Sequence, residues 1–270
     1  MHHKNIDLGL ILGGGMLTKT LIHECKKQKK NIYIIAIEED FKLENIEPDI
    51  KINFNRLGNI FSYLKNKNVS HVVLLGSIKK KPLLKIRPNL ITFIYLIKLF
   101  LFYKRDGKLI DKIVKLFENK NINVVDPRIF LKNNLCSANS NNLNKFKKYL
   151  NRNDIKYYFK LAKKIGQSDK GQAIIISDGK IVLKEDSNGT DSLIKKFIPF
   201  KNYKFSCLVK VSKPLQDIRI DLPTIGPKTI ENMIKAGING IIVEDQKTFI
   251  ENPYITFNLI NKHNILFYAA

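Results

Sequence analysis

The chain has 270 residues, 44% of them hydrophobic, which excludes an intrinsically disordered protein and leaves room for one large domain or two of ordinary size. Its formal charge is +23, from 47 basic and 24 acidic residues, but 41 lysines outnumber six arginines and are spread along the whole length. Excess Lys, Asn and Ile together read as compositional bias, and the missing arginine clusters and stacking aromatics argue against a nucleic-acid partner.

The first 130 residues alternate strand and helix. "DLGLILGGG" is an apolar strand ending in glycines, followed by "MLTKTLIHECKKQ", whose Leu17, Leu21, Ile22 and Cys25 have helical spacing. The opening apolar stretch breaks on glycine too soon for a signal peptide. "NIYIIAIEE" is a second strand, "LGNIFSYLKNKN" a second helix and "VSHVVLLGS" a third strand. "GKLIDKIVKLFENKN" is a helix and "INVVDP" a last strand. This order predicts a Rossmann-like parallel sheet over 1–131. Between these elements, "NLITFIYLIKLFLFYKR" (89–105) is too short to span a bilayer. It is either a buried or amphipathic helix or a surface that meets lipid or an acyl chain.

The polar, Asn/Ser-rich stretch at 132–145 is expected to be a linker, and 146–270 a mixed α/β domain. Within it, "IKYYFKLAKKIGQ" reads as a helix. "GQAIIISDGKIVLKED" reads as a hairpin turning at Asp178-Gly179, and Thr190 as the cap of the next helix. "FSCLVKVSK" is a strand, "PKTIENMIKAG" a helix stopped by Gly237, and "INGIIVED" and "ILFYAA" are short strands. Cys25, Cys136 and Cys207 are odd in number and far apart, as expected of reduced structural thiols in a cytoplasmic protein.

Three places suggest chemistry. Gly13, Gly14 and Gly15 join a strand to a helix, where backbone amides can face a phosphate. The dinucleotide fingerprint is incomplete because Thr18 takes its third glycine position, although Glu38 and Glu39 could mimic the ribose-binding acid. Gly76, followed by Lys79 and Lys81, is a second turn at a strand end; its lysines are either ligand contacts or a solvated loop. In "QDIRIDLP", strand alternation would put Asp217, Arg219 and Asp221 on one face and Ile218 and Ile220 on the core face. That face is either a solvated edge or the floor of a site. With Glu185 and Asp191 the two aspartates form an oxygen-only donor set suited to Mg2+ or Mn2+, which could bridge a pyrophosphate. Arg219 is either their ion-pair partner or a phosphate contact.

Taken together, "LGLILGGG", "GSIKKKP", "GQAIIISDGKIVLKEDSNGTD" and above all "LVKVSKPLQDIRIDLPTIGPKTIENMIKAGINGI" resemble the UDP-2,3-diacylglucosamine pyrophosphatase LpxI family, in order along nearly the whole chain. The resemblance implies a metal-dependent hydrolase of lipid A synthesis that cleaves UDP-2,3-diacylglucosamine to UMP and 2,3-diacylglucosamine 1-phosphate (lipid X). It implies a cytoplasmic protein peripheral to the inner membrane; a homodimer is a further expectation. Asp217, Asp221 and Arg219 then carry catalysis, and Asp217, Asp221, Glu185 and Asp191 hold the metal. The substrate is bound through Gly13, Gly14, Gly15, Gly76, Lys79, Lys81, Gln172, Thr190 and Lys210. Gly107 and Asp111 depart from the family pattern, which moves the weight from the 106–111 region to the intact aspartates. Rival readings are an NAD(P)-binding oxidoreductase on the glycine turn and a non-enzymatic module for anionic ligands.

Overall fold

The computed structural model describes residues 7–37, 41, 45–78, 87–103, 109–140, 148–167, 171–197, 203–214 and 217–270. The chain divides into two compact units, 1–131 and 132–270. Glu38, Glu39, Lys79, Lys81, Pro82, Asp106 and Gly107 lie outside the described residues.

The first unit is built on five parallel strands: β1 (Leu8–Leu12), β2 (Ile32–Ile37), β3 (Ile50–Ile52), β4 (His71–Leu75) and β5 (Asn123–Val124). Their order is β3-β2-β1-β4-β5. β1 is buried at every position, as a central parallel strand covered on both faces must be. Helices α1 (Met16–Lys27), α2 (Asn59–Asn66), α3 (Leu90–Tyr103) and α4 (Leu109–Glu118) connect the strands. α1 packs through Leu17, Leu21, Ile22 and Cys25, the spacing read from the sequence. The sheet order reverses between β1 and β4, where both glycine turns emerge.

α3 is pinned by polar contacts at its start. The Gly58 amide donates to Thr92 Oγ1 at 2.9 Å, and Asn89 Nδ2 donates to Asn59 Oδ1 at 3.0 Å. Thr92 is buried, whereas Leu90, Ile91, Phe93, Ile94 and Ile97 are exposed. At 14 residues the helix is about 21 Å long against a hydrocarbon core of about 30 Å. Among the described residues no helix is long and apolar enough to cross a membrane.

The second unit holds a mixed sheet in the order β12-β10-β8-β6-β7: β6 (Ala173–Ser177), β7 (Lys180–Lys184), β8 (Ser206–Lys210), β10 (Gly240–Val243) and β12 (Leu266–Ala269). β8, β10 and β12 are parallel, while β6 runs antiparallel to β8 and β7. The β6–β7 hairpin turns at Asp178 and Gly179, both with positive φ (44° and 80°), as an Asp-Gly pair suits. A second small sheet pairs β9 (Thr224–Ile225) with β11 (Phe249–Ile250). Helix α5 (Arg152–Gln167) covers one face of the main sheet through Ile155, Tyr158 and Ala162. α6 (Thr190–Phe197), α7 (Pro227–Ala236) and α8 (Pro253–Lys262) cover the other, burying Ile194, Met233 and Ile260.

Within 132–145, the stretch expected as a linker, the Cys136 amide donates to Thr248 O at 2.8 Å and Asn134 Nδ2 to Ile250 O at 2.9 Å. The strand expected through Asp217–Asp221 is a turn, because Asp217 O accepts from both Ile220 N (3.0 Å) and Asp221 N (3.1 Å), and Ile218 is exposed. The three cysteines are buried and unpaired. Burial pushes the Cys25 thiol up to about 12, helped by Glu24 and opposed by Lys30.

Candidate functional site

In the first unit the two glycine turns grip each other. Gly13 N donates to Leu75 O at 3.0 Å, Gly14 N to Ser77 O at 2.9 Å, and Ser77 N returns a bond to Gly14 O at 2.8 Å. A Cβ on Gly13 would fall 2.4 Å from Ser77 O, and Gly76, with φ of 104°, lies against Gly14 O. Close backbone approach therefore accounts for Gly13 and Gly76. Two of the amides expected to face a phosphate bind carbonyls instead.

The second unit assembles charge by topology. Lys210 ends β8 opposite Ala173 at the start of β6 and Val243 at the end of β10, while Lys184 ends β7 beside Ile174. Lys210, Gln172, Glu185 and Glu244 are thereby brought to one edge of the sheet, the end at which parallel strands present ligand sites. α6 begins just beyond Glu185 and brings Thr190 and Asp191 to the same edge.

Glu185 is buried and doubly engaged. Its Oε2 accepts from Gln172 N at 2.6 Å and its Oε1 from the Thr190 hydroxyl at 3.0 Å. The Thr190 hydroxyl thus serves Glu185 rather than capping α6. Gly171 is required beside it, since a Cβ there would meet Glu185 O at 2.6 Å and Glu185 Cβ at 2.7 Å. Asp191 is exposed, accepting from Asn232 Nδ2 at 3.0 Å with Lys228 Nζ 3.9 Å away, and so links α6 to α7.

Lys210 is the buried cation of the cluster. It is 7% exposed, and its Nζ donates to Thr224 O at 2.8 Å. Burial holds its pKa below the ordinary lysine value, while Glu185, Asp191, Asp221 and Glu251 each act to raise it. Four carboxylates from four segments therefore act on one ammonium.

Asp217 is paired within its own turn. Its carboxylate accepts from Arg219 N at 2.9 Å and from the Arg219 guanidinium at 2.6–3.1 Å, a fork-like pair closed within three residues. The Arg219 hydrogen bond holds Asp217 below the usual carboxylate range, outweighing partial burial. For Arg219, the ion-pair alternative is the one observed.

Asp217 engages Arg219, and Glu251 acts electrostatically on Lys210 together with Glu185, Asp191 and Asp221. Glu251 follows β11, and a Cβ on Gly226 would lie 2.9 Å from Glu251 Cβ. Sequence reasoning had no route to this residue, because only the long-range β9–β11 pairing brings it to the edge. Among the described residues, no three His, Cys, Asp or Glu side chains form a ready-made metal cage. The donors are all oxygen, which suits Mg2+, an ion usually held by one or two carboxylates together with substrate phosphates.

Residues 7–134 match the LpxI N-terminal domain and residues 141–268 match the LpxI C-terminal domain. A relative from Caulobacter vibrioides, described as UDP-2,3-diacylglucosamine pyrophosphatase LpxI, is 24% identical over 248 residues, covering 88% of each chain.

Proposed function

From the fact that the chain belongs to the LpxI family, we propose that it hydrolyses UDP-2,3-diacylglucosamine to UMP and 2,3-diacylglucosamine 1-phosphate, a step in lipid A synthesis. The observation that carries this reading is the buried Lys210 at the carboxyl end of β8, with four carboxylates acting on its charge.

In this reading Asp221 orients the attacking water and accepts its proton. The water oxygen bonds to the phosphorus on the sugar side, and the bond from that phosphorus to the bridging oxygen breaks, so UMP leaves with the bridging oxygen. Lys210, desolvated and held at the Thr224 carbonyl, offsets phosphate charge where water screens least. Glu185 positions Gln172 and Thr190, and Asp217 orients Arg219, whose charge offsets that of the phosphates. Mg2+ or Mn2+ would be held by one or two carboxylates from among Asp221, Asp191 and Glu251 together with the phosphate oxygens of the substrate. Such an ion supplies electrostatic stabilisation of the diphosphate as charge develops.

The exposed apolar face of α3, with the chain's positive charge, supports a cytoplasmic protein peripheral to the inner-membrane surface, where its lipid-linked substrate resides.

The test is incubation of purified protein with UDP-2,3-diacylglucosamine and Mg2+ or Mn2+, with and without EDTA, in water enriched in 18O. The expected result is UMP release that EDTA abolishes, with the label in the sugar 1-phosphate. No UMP under any condition would refute the reading, and label in UMP would refute the assigned phosphorus.

A further inference from the structure

On the sheet face opposite Lys210, the same edge carries a second charged cluster that the proposed chemistry does not use. Glu244 is the first residue past β10. Its side chain lies on the α5 side of the sheet, because Ile242, two residues earlier, packs there with Tyr158 and Ala162.

Its two oxygens collect three donors from two other segments. Oε2 accepts from Ser212 N at 2.6 Å and from Ser212 Oγ at 2.5 Å, and Oε1 pairs with Lys163 Nζ of α5 at 2.6 Å. Glu244 is 6% exposed, so this is a buried carboxylate with charge-assisted partners on both oxygens.

The chain needs that carboxylate for a specific reason. β8 ends at Lys210, and Val211 N still reaches the sheet through Gln172 O at 2.9 Å. Ser212 N is the first amide past that pairing, and Glu244 accepts it. The next residues lie against the last turn of α5, where a Cβ on Gly166 would be 3.2 Å from Pro214 Cδ and 3.5 Å from Lys213 Cα. Glu244, Lys163 and Gly166 together fix the direction in which the chain leaves β8. That chain bears Lys210 on one side of the clamp and Arg219 and Asp221 on the other.

We propose that Glu244 is a positioning residue: clamped between Ser212 and Lys163, its carboxylate sets the exit of β8 and so the placement of Asp221 at the reacting diphosphate. The proposal rests on the hydrolytic reading above and adds a residue that does not touch the substrate.

The test compares full-length wild type with Glu244→Gln, Lys163→Met and Lys163→Arg, following UMP release and amide hydrogen exchange. Glu244→Gln is expected to keep its far-UV circular dichroism. Exchange over 212–221 should rise about tenfold while β10 and β12 stay protected. Its kcat should fall about 100-fold with KM within about threefold, as small displacements of catalytic groups cost. Lys163→Met should show the same pattern at about a tenfold loss, and Lys163→Arg should restore most of it.

Unchanged kcat in Glu244→Gln, unchanged exchange over 212–221, or faster exchange spread evenly over the unit would each overturn the proposal. Should Glu244→Gln not fold, Lys163→Met decides by the same criteria. A wild type that releases no UMP would refute the hydrolytic reading, and the exchange pattern would still decide whether Glu244 holds the exit of β8.

Discussion

The Lys210 ammonium donates a 2.8 Å hydrogen bond to the Thr224 carbonyl, joining the end of β8 to the start of β9. Thr224 lies three residues after Asp221, and β9 pairs with β11, which Glu251 follows. One bond thus ties the buried cation to the segment that carries the proposed water-orienting carboxylate. Replacing Lys210 with Met should abolish turnover and also lower the melting temperature, because the carboxylates around it lose their central counter-charge. Circular dichroism melts beside the UMP assay check both; a fully active variant would remove Lys210 from the account.

Acid stability should depend on Asp217 and Glu244. Arg219 holds Asp217 below the usual range. For Glu244, burial alone pushes upward, and the bonds from Lys163 and from the Ser212 hydroxyl and amide more than offset it. Both folded pKa values lie below the unfolded ones, so the unfolded chain binds more protons as the pH falls through about 4. The stabilisation is therefore complete above that range and is lost on further acidification. Urea midpoints from pH 7 to pH 3 should fall less steeply for Asp217→Asn/Glu244→Gln than for wild type; equal slopes would contradict this.

Gly171 is fixed by its neighbour, not by backbone freedom. Alanine there would drive its Cβ into Glu185 O, Cβ and C at 2.6–2.8 Å. Gly171→Ala should cost about 1–3 kcal/mol by denaturant titration, as overpacking does. It should also reduce kcat by displacing Glu185 from Gln172 and Thr190.

The α3 face offers a test that leaves the fold untouched. Phe93 and Ile94 are 49% and 45% exposed, so Phe93→Glu/Ile94→Glu should leave the melting temperature within about 2 °C. Co-sedimentation with vesicles containing anionic lipid should fall at least about tenfold. Undiminished binding would move the membrane contact elsewhere.

How much of this was legible in the sequence follows from range. The apolar runs of β1, β2 and β4, the spacing of α1 and the Asp178-Gly179 turn are local signals, and each forms where its pattern predicts. The segment from Asp217 to Asp221 misled for a local reason as well. Its alternation mimics a strand, but the Asp217 carboxylate accepts the Arg219 amide and closes a turn that competes with extension. Glu251 and Glu244 were invisible because nothing near them in the chain marks them. They reach the edge through the β9–β11 and β8–β10 pairings.

The most direct test is UMP release from UDP-2,3-diacylglucosamine with Mg2+ by wild type, Asp217→Asn and Asp221→Asn, each checked for an unchanged melt. Wild type should turn over; Asp221→Asn should be slower by about 10³-fold, the scale of a lost proton acceptor. Asp217→Asn should retain more activity and mainly raise KM, because it releases Arg219 rather than the attacking water. Asp221→Asn turning over at the wild-type rate would contradict the account.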